Sequence, residues 1–249
     1  MINILLPMAG GSSFFDPKLY PYPLPLTELA GRPMIEHVIA NLSEIDHDCR
    51  FVFVIKSDEC RRFHLDSTLS LLAPGRSTVV KLDGETRGAL CSALMAVSHI
   101  NNDIPLIVAN SDQIFEGVLP DLIKALRDES ADAGCICFRS VHPRWSYVRL
   151  VDGRVVEAAE KRPISQNAIA GFYYFSAGRT FVQAAMRTIL NDRAVEGRYF
   201  IAPVFNELIL DGKDIRAVMV PEDKYHSFYT PQRIDEYERV DGVSRNTKR

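Results

Sequence analysis

Apolar and polar positions along this 249-residue chain follow two rhythms. Short, nearly solid apolar runs (Ile2 to Leu6, Phe51 to Lys56, Thr78 to Leu82 and Pro105 to Asn110) read as buried strands. Stretches with helical spacing separate them. Residues 34–42 put Met34, Ile35, Val38, Ile39 and Leu42 on one face, a second helix is predicted from about Asp58 to Leu72, and a third from Ala89 to His99. Ser57 and Asp58 carry capping chemistry for the second, while Ala89, Leu90, Ala93, Leu94 and Val97 form the buried stripe of the third. Strand and helix in alternation predict an α/β fold: a Rossmann-like, mostly parallel sheet flanked by helices.

Past Asn110 the rhythm changes. A helix from Leu119 to Arg127 and a strand from Gly134 to Arg139 precede two β-rich runs, Tyr147 to Val151 and Arg154 to Ala159, around Asp152-Gly153. That dipeptide is a strong hairpin signal, so an antiparallel hairpin is expected beside the parallel sheet. A strand from Ala168 to Phe175, helices at Ala177 to Leu190 and Ala202 to Leu210, a strand from Ile215 to Val220 and a helix from Pro231 follow. Without a linker or repeat to divide it, the chain reads as one domain over residues 1–240 with a flexible tail over 241–249.

Composition removes several classes of function. A formal charge of −3 offers no basic field, so neither nucleic acid nor an anionic membrane surface is an expected partner. No apolar run approaches the ~18 residues of a membrane span, and the chain enters a strand at once, so no membrane insertion and a cytoplasmic location are expected. The five cysteines read as reduced core thiols, Cys135 and Cys137 sharing one face of a strand.

Candidate chemistry begins where the first strand runs into Met8-Ala9-Gly10-Gly11-Ser12-Ser13. Such a turn leaves backbone N–H groups free at a strand's carboxyl end, where phosphates are commonly cradled, although most glycine turns only reverse the chain. Pro21, Pro23, Pro25 and Pro33 stiffen the connection to the first helix. Asp112, in Asn110-Ser111-Asp112-Gln113, lies just beyond the fourth strand, where open α/β sheets bind ligands and a carboxylate can hold Mg²⁺ against phosphates; from position alone a helix-cap aspartate is an equal reading.

Leu5-Leu6-Pro7-Met8-Ala9-Gly10, then Tyr22-Pro23-Leu24-Pro25-Leu26, then Gly31-Arg32-Pro33-Met34-Ile35 resembles the opening of nucleotidyltransferases that join an NTP to a sugar 1-phosphate or similar phosphorylated metabolite. The short members of surface-polysaccharide pathways resemble it most, and matching segments run from about residue 2 to residue 237. The resemblance implies a nucleotide-diphospho-sugar transferase-like fold and a division of labour among named residues. Ala9, Gly10, Gly11, Ser12 and Ser13 would cradle the NTP; Thr86, Gly88 and Ala89 would meet its base; Asp112 would hold Mg²⁺. Glu160, Lys161 and Gly171, with Gln113 and Arg198, would face the acceptor, Lys161 contacting its phosphate. The implied partners are an NTP and a phosphorylated sugar or alcohol, with a homo-oligomer left open.

Departures from the family pattern fall on charged positions. Phe14 stands where relatives carry a loop arginine and Leu24 where they carry a lysine, while Ser227 replaces a second metal-binding aspartate in many of them. Arg198 replaces an acidic residue and Tyr229 a glycine. Fixed cations supply much of the stabilisation of phosphoryl transfer, and losing one donor costs about 3 to 4 kcal/mol. Lys18, Arg32 and Arg198 are the candidates to compensate. Two functions therefore stand: an active nucleotidyltransferase with Asp112 and Lys161 as catalytic residues, and a catalytically impaired relative that binds nucleotide or sugar phosphate as a regulatory subunit. Hydrolase and nicotinamide readings lack a Gly-x-Ser-x-Gly elbow and a full G-x-G-x-x-G turn, respectively.

Overall fold

A computed structural model describes residues 1–11, 14–128 and 130–246, with side chains 128 and 240–246 left aside. In chain order the first half contains β1 (Ile2–Pro7), the short pair β2 (Glu28–Leu29) and β3 (Arg32–Pro33), α1 (Met34–Ser43), β4 (Cys49–Lys56), α2 (Ser57–Phe63), α3 (Leu65–Leu72) and β5 (Ser77–Leu82). Then come α4 (Ala89–Leu94), α5 (Val97–Ile100), β6 (Leu106–Ala109), β7 (Gln113–Phe115), α6 (Leu119–Asp128), β8 (Ala133–Arg139), β9 (Ser146–Val151) and β10 (Arg154–Glu160). The chain continues through β11 (Asn167–Phe175), α7 (Gly178–Leu190), α8 (Val204–Leu210), β12 (Ile215–Met219), β13 (Tyr225–Ser227) and α9 (Pro231–Asn246). The last helix continues into the stretch read as a tail, and residues 247–249 lie outside the described set.

One nine-stranded sheet organises the molecule, in the order β5-β4-β1-β6-β11-β8-β12-β10-β9. The first four strands are parallel, as the alternation of apolar runs and helices requires. From β11 onward the pairing is mixed: β11 runs antiparallel to both β6 and β8, β12 parallel to β8, and the β9–β10 hairpin closes the far edge. Antiparallel structure is thus more extensive than the single hairpin expected.

Side chains on successive strand positions go to opposite faces and build two cores. Ile4, Leu6, Phe53, Ile107 and Phe172 pack with α1, α3 and α6 on one face. Leu5, Val54, Val108, Tyr173 and Phe175 pack with α4, α7 and α8 on the other. The α1 stripe Met34, Ile35, Val38, Ile39 and Leu42 is buried as its spacing predicts.

Two expected helices are broken. His64, left-handed at φ 53°, divides the 58–72 stretch into α2 and α3, and α2 starts from Lys56 with no side-chain cap. The 89–99 stretch divides at Met95-Ala96; Leu90 and Ala93 are buried, Leu94 and Val97 partly so, and Ala89 is exposed. All five cysteines are free thiols; Cys135 and Cys137 are buried on one face with their sulfurs 3.6 Å apart. No helix among the described residues is long and apolar enough to cross a membrane.

Candidate active site

The site begins where β1 and β6 end. These strands are direct neighbours, with Asn3 opposite Leu106 and Leu5 opposite Val108, so the Met8–Gly11 turn and the Asn110–Asp112 segment leave the sheet side by side. Gly10 and Gly11 are exposed, and a Cβ added to either would meet nothing within 4 Å, which leaves their backbone open to a ligand. Ala9 packs partly into the core beneath. Ser12 and Ser13 lie outside the described residues.

Asp112 is held by its main chain, its carbonyl accepting the Phe228 amide at 2.7 Å. Burial pushes its carboxyl up to about 6, against a backbone hydrogen bond that pulls it down. No cation pairs with it among the described residues, and no group of three or more His, Cys, Asp or Glu gathers there to form a metal site. A Mg²⁺ ion nevertheless fits this position, because it needs only one or two carboxylates when substrate phosphates and water complete its octahedron. The adjacent strands pair Ser227 with Gln113, next in sequence to Asp112.

Gln113 turns inward. Its amide donates to the Gly171 carbonyl at 3.0 Å and its oxygen accepts from the Tyr225 hydroxyl at 3.3 Å. The same Gly171 carbonyl accepts the Asn110 amide at 2.9 Å, and Gly171 itself sits at φ 55° in a bulge of β11. A Cβ there would lie 2.2 Å from Asn110 Nδ2, so this glycine lets the two halves of the sheet close against each other.

The expected base-binding turn is tied to a distant segment. Tyr199 N donates to the Arg87 carbonyl at 2.7 Å and Leu90 N to the Tyr199 carbonyl at 3.1 Å. Gly88, at φ 112°, lies so close that a Cβ would stand 2.3 Å from the Tyr199 oxygen. Thr86 turns its hydroxyl onto its own turn, donating to the Gly88 carbonyl at 3.1 Å and lying 2.6 Å from the Ser92 hydroxyl. Arg198 is exposed on the tight 195–198 turn beside this ladder.

Glu160 and Lys161 follow β10. Ser146 donates to the Glu160 carboxylate, which burial holds above its usual range. Lys161 adopts φ 54°, its amide bonds to the Trp145 carbonyl at 3.1 Å, and its ammonium meets the Glu196 carboxylate above the Phe200 ring. Residues 196–200 therefore join the 86–90 turn to Lys161, a link the sequence marked only through Arg198.

Of the compensating cations, Arg32 pairs with Glu36 at 3.2 Å and Lys18 stands exposed on a surface turn. Leu24 packs against the core, where a lysine head would be misplaced. Sequence reasoning missed Arg144. Its guanidinium lies 3.8 Å from the Tyr229 ring centroid, 5.1 Å from Phe14 and 5.5 Å from Trp145. Also missed was a cavity of about 450 Å³ between Lys56, Arg61 and the Leu82–Glu85 stretch, next to Thr86.

A glycine turn and a carboxylate thus leave the carboxyl ends of adjacent parallel strands, the position at which open α/β sheets bind ligands. The chain belongs to the MobA-like NTP transferase family, whose domain profile matches residues 9–188. Over 239 residues it is 25% identical to the UTP–glucose-1-phosphate uridylyltransferase AglF of Haloferax volcanii, covering 93% of each chain. Its fold is similar to that of a nucleoside-diphosphate-sugar pyrophosphorylase from Vibrio cholerae RC9, with TM-score 0.83, 22% identity and coverage of 95% of this chain and 99% of that one. A UTP-bound UGPase from Acinetobacter baumannii is similar at TM-score 0.75, 17% identity and coverage of 98% and 94%.

Proposed function

We propose that this protein transfers a nucleotidyl group from an NTP to a sugar 1-phosphate or similar phosphorylated metabolite, releasing pyrophosphate, in the synthesis of surface-polysaccharide precursors. The observation that carries the reading is the paired departure of the Met8–Gly11 turn and the Asn110–Asp112 segment from neighbouring parallel strands. It sets open backbone amides next to a desolvated carboxylate, a combination suited to a triphosphate and a cation. The name of AglF supports a sugar phosphate as acceptor, and the UTP-bound relative supports an NTP as donor.

In the reaction an acceptor phosphate oxygen attacks the α-phosphorus of the NTP. A new P–O bond forms, the bond from the α-phosphorus to the bridging oxygen breaks, and its electron pair leaves on pyrophosphate. The glycine turn orients the triphosphate through its amides. Lys161 draws the acceptor phosphate into line, and residues 86–89 present a close backbone edge to the base. Asp112 would hold Mg²⁺ through its ionised carboxylate; the bound ion supplies neutralisation of the charge that develops on the phosphates.

The test is pyrophosphate release across a panel of NTPs and phosphorylated acceptors, comparing wild type with Asp112→Ala. Metal-dependent turnover that falls about a thousandfold in the variant is expected. Turnover indifferent to the change overturns the assignment of Asp112. A second reading, an impaired relative that binds but does not turn over, is favoured by Phe14, Leu24 and Ser227; nucleotide binding without pyrophosphate release would establish it.

A further inference from the structure

We propose that Arg144 supplies the phosphate-binding cation that the glycine loop lacks at Phe14, a proposal that rests on the nucleotidyltransferase reading above. Arg144 comes from the segment between β8 and β9, far from the loop in sequence, yet its guanidinium lies 5.1 Å from the Phe14 ring centroid. A positive charge is therefore present beside the loop, delivered from another segment.

Its surroundings link it to the segments assigned to phosphate above. Tyr229, the ring it covers at 3.8 Å, follows Phe228, whose amide bonds to the Asp112 carbonyl at 2.7 Å. On its other side, the Trp145 carbonyl accepts the Lys161 amide at 3.1 Å. Arg144 thus lies against Phe14 at the end of the glycine loop and is linked through neighbouring main chain to the Asp112 and Lys161 segments. It is half-buried, and no carboxylate pairs with it among the described residues.

Stacking against rings holds a guanidinium in place without neutralising it, because a ring quadrupole offers attraction but no counter-charge. Its planar N–H fork stays free to bond a phosphate bidentately. An aromatic cradle of Tyr229, Phe14 and Trp145 also explains two departures from the family pattern together: Phe14 where the loop loses its arginine, and Tyr229 where relatives have glycine. Both replacements build the seat in which Arg144 rests. A guanidinium so fixed costs little further ordering when phosphate arrives. Its role is to hold the β- and γ-phosphates of the NTP and the pyrophosphate that leaves.

Inorganic pyrophosphate with Mg²⁺ is the probe, since it reports on phosphate-binding cations independently of the base. Arg144→Gln is expected to weaken pyrophosphate binding by calorimetry about tenfold, the loss of one charge-assisted contact, and to leave the acceptor KM within twofold. The double variant Phe14→Arg with Arg144→Gln returns the charge to the loop and is expected to recover most of that affinity. A purely structural latch would be broken twice in this variant, and binding would weaken further; that result overturns the proposal. Unchanged pyrophosphate affinity in Arg144→Gln overturns it too, while Asp112-dependent turnover in the same preparation leaves the nucleotidyltransferase reading standing. If Arg144→Gln unfolds, Arg144→Lys keeps a cation and loses the fork: pyrophosphate binding weakened several-fold at constant acceptor KM supports the role, and unchanged binding refutes it. A wild type that neither binds pyrophosphate nor turns over NTP would sink both readings together.

Discussion

The two halves of the sheet contribute opposite kinds of chemistry. The parallel half, β5-β4-β1-β6, provides backbone and one carboxylate: the Met8–Gly11 turn, the 86–89 turn and Asp112. The mixed half and the segments around it carry Arg144, Lys161 and Arg198, all falling after β8. In the family pattern the loop of the parallel half carries its own arginine and lysine; here those positions are Phe14 and Leu24, one stacked beneath Arg144 and the other turned into the core. On the proposed assignments the triphosphate cradle and the acceptor lysine come from different halves, so the site needs the halves held in register.

The seams between the halves are therefore the most sensitive places to break the arrangement. Gly88→Ala is expected to have the largest effect on stability. Its backbone at φ 112° and ψ 174° suits glycine alone, and the new Cβ would fall 2.3 Å from the Tyr199 carbonyl oxygen, which belongs to a main-chain ladder with little freedom to retreat. About 3 to 4 kcal/mol of destabilisation should appear in denaturant titration, together with lost NTP binding. Gly171→Ala meets the Asn110 side chain, which has room to rotate aside, so about 2 kcal/mol is expected there. Equal effects at both positions, or none, would mean that the halves are not locked where these glycines touch.

The parallel half was legible in the chain because its signals are local: solid apolar runs, a 3.6-residue stripe on α1, a glycine turn after β1 and Asp112 after β6. Asp152-Gly153 likewise announced the β9–β10 hairpin, and both residues take positive φ, 50° and 76°. What the sequence hid was non-local. Helical spacing over residues 58–72 carries no mark of the left-handed His64 that divides it, since tertiary packing sets that break. Nothing local marks Arg144 in His142-Pro143-Arg144-Trp145; only the meeting of residues 14, 144 and 229 gives it a place. Gln113 read as an acceptor contact, but the pairing of β7 with β13 turns it toward Gly171 and Tyr225.

Asp112 sharpens the comparison on the parallel side, where its carboxylate forms no ion pair among the described residues. Its carboxyl titrates at about 6 in the folded chain against a reference of 3.8. Because the folded value is the higher one, the folded state binds the extra proton between those pH values. The stability associated with the neutral form is complete below about pH 4 and is lost as pH rises through about 6. Asp112→Asn should therefore stabilise the protein at pH 7.5, by at most about 3 kcal/mol, and the gain should vanish near pH 4. Turnover should move the other way, declining in wild type below about pH 6 as the carboxylate that would hold Mg²⁺ takes up its proton. Thermal melts of both proteins across this range decide the matter: a variant no more stable than wild type at pH 7.5 would show that Asp112 is already compensated, and the contrast between the halves would weaken.

The smallest effect is expected on the cationic side, at the Lys161–Glu196 pair. Lys161 is partly exposed and Glu196 largely so, at 38% and 69% side-chain exposure, and such a pair contributes under about 1 kcal/mol to stability. Its importance lies in occupancy. On the proposed role of Lys161, its ammonium exchanges Glu196 for the acceptor phosphate, so the resting pair opposes binding by the free energy it holds. Glu196→Gln should leave the melting temperature almost unchanged and lower the acceptor KM by up to about fivefold, with the NTP KM unaffected. Lys161→Ala should raise the acceptor KM and also spare the NTP KM. Opposite shifts in acceptor KM from the two changes would show that Glu196 competes with the acceptor for one lysine; shifts in the same direction would show instead that the pair positions Lys161 for the phosphate, and the carboxylate would then count among the acceptor-side groups.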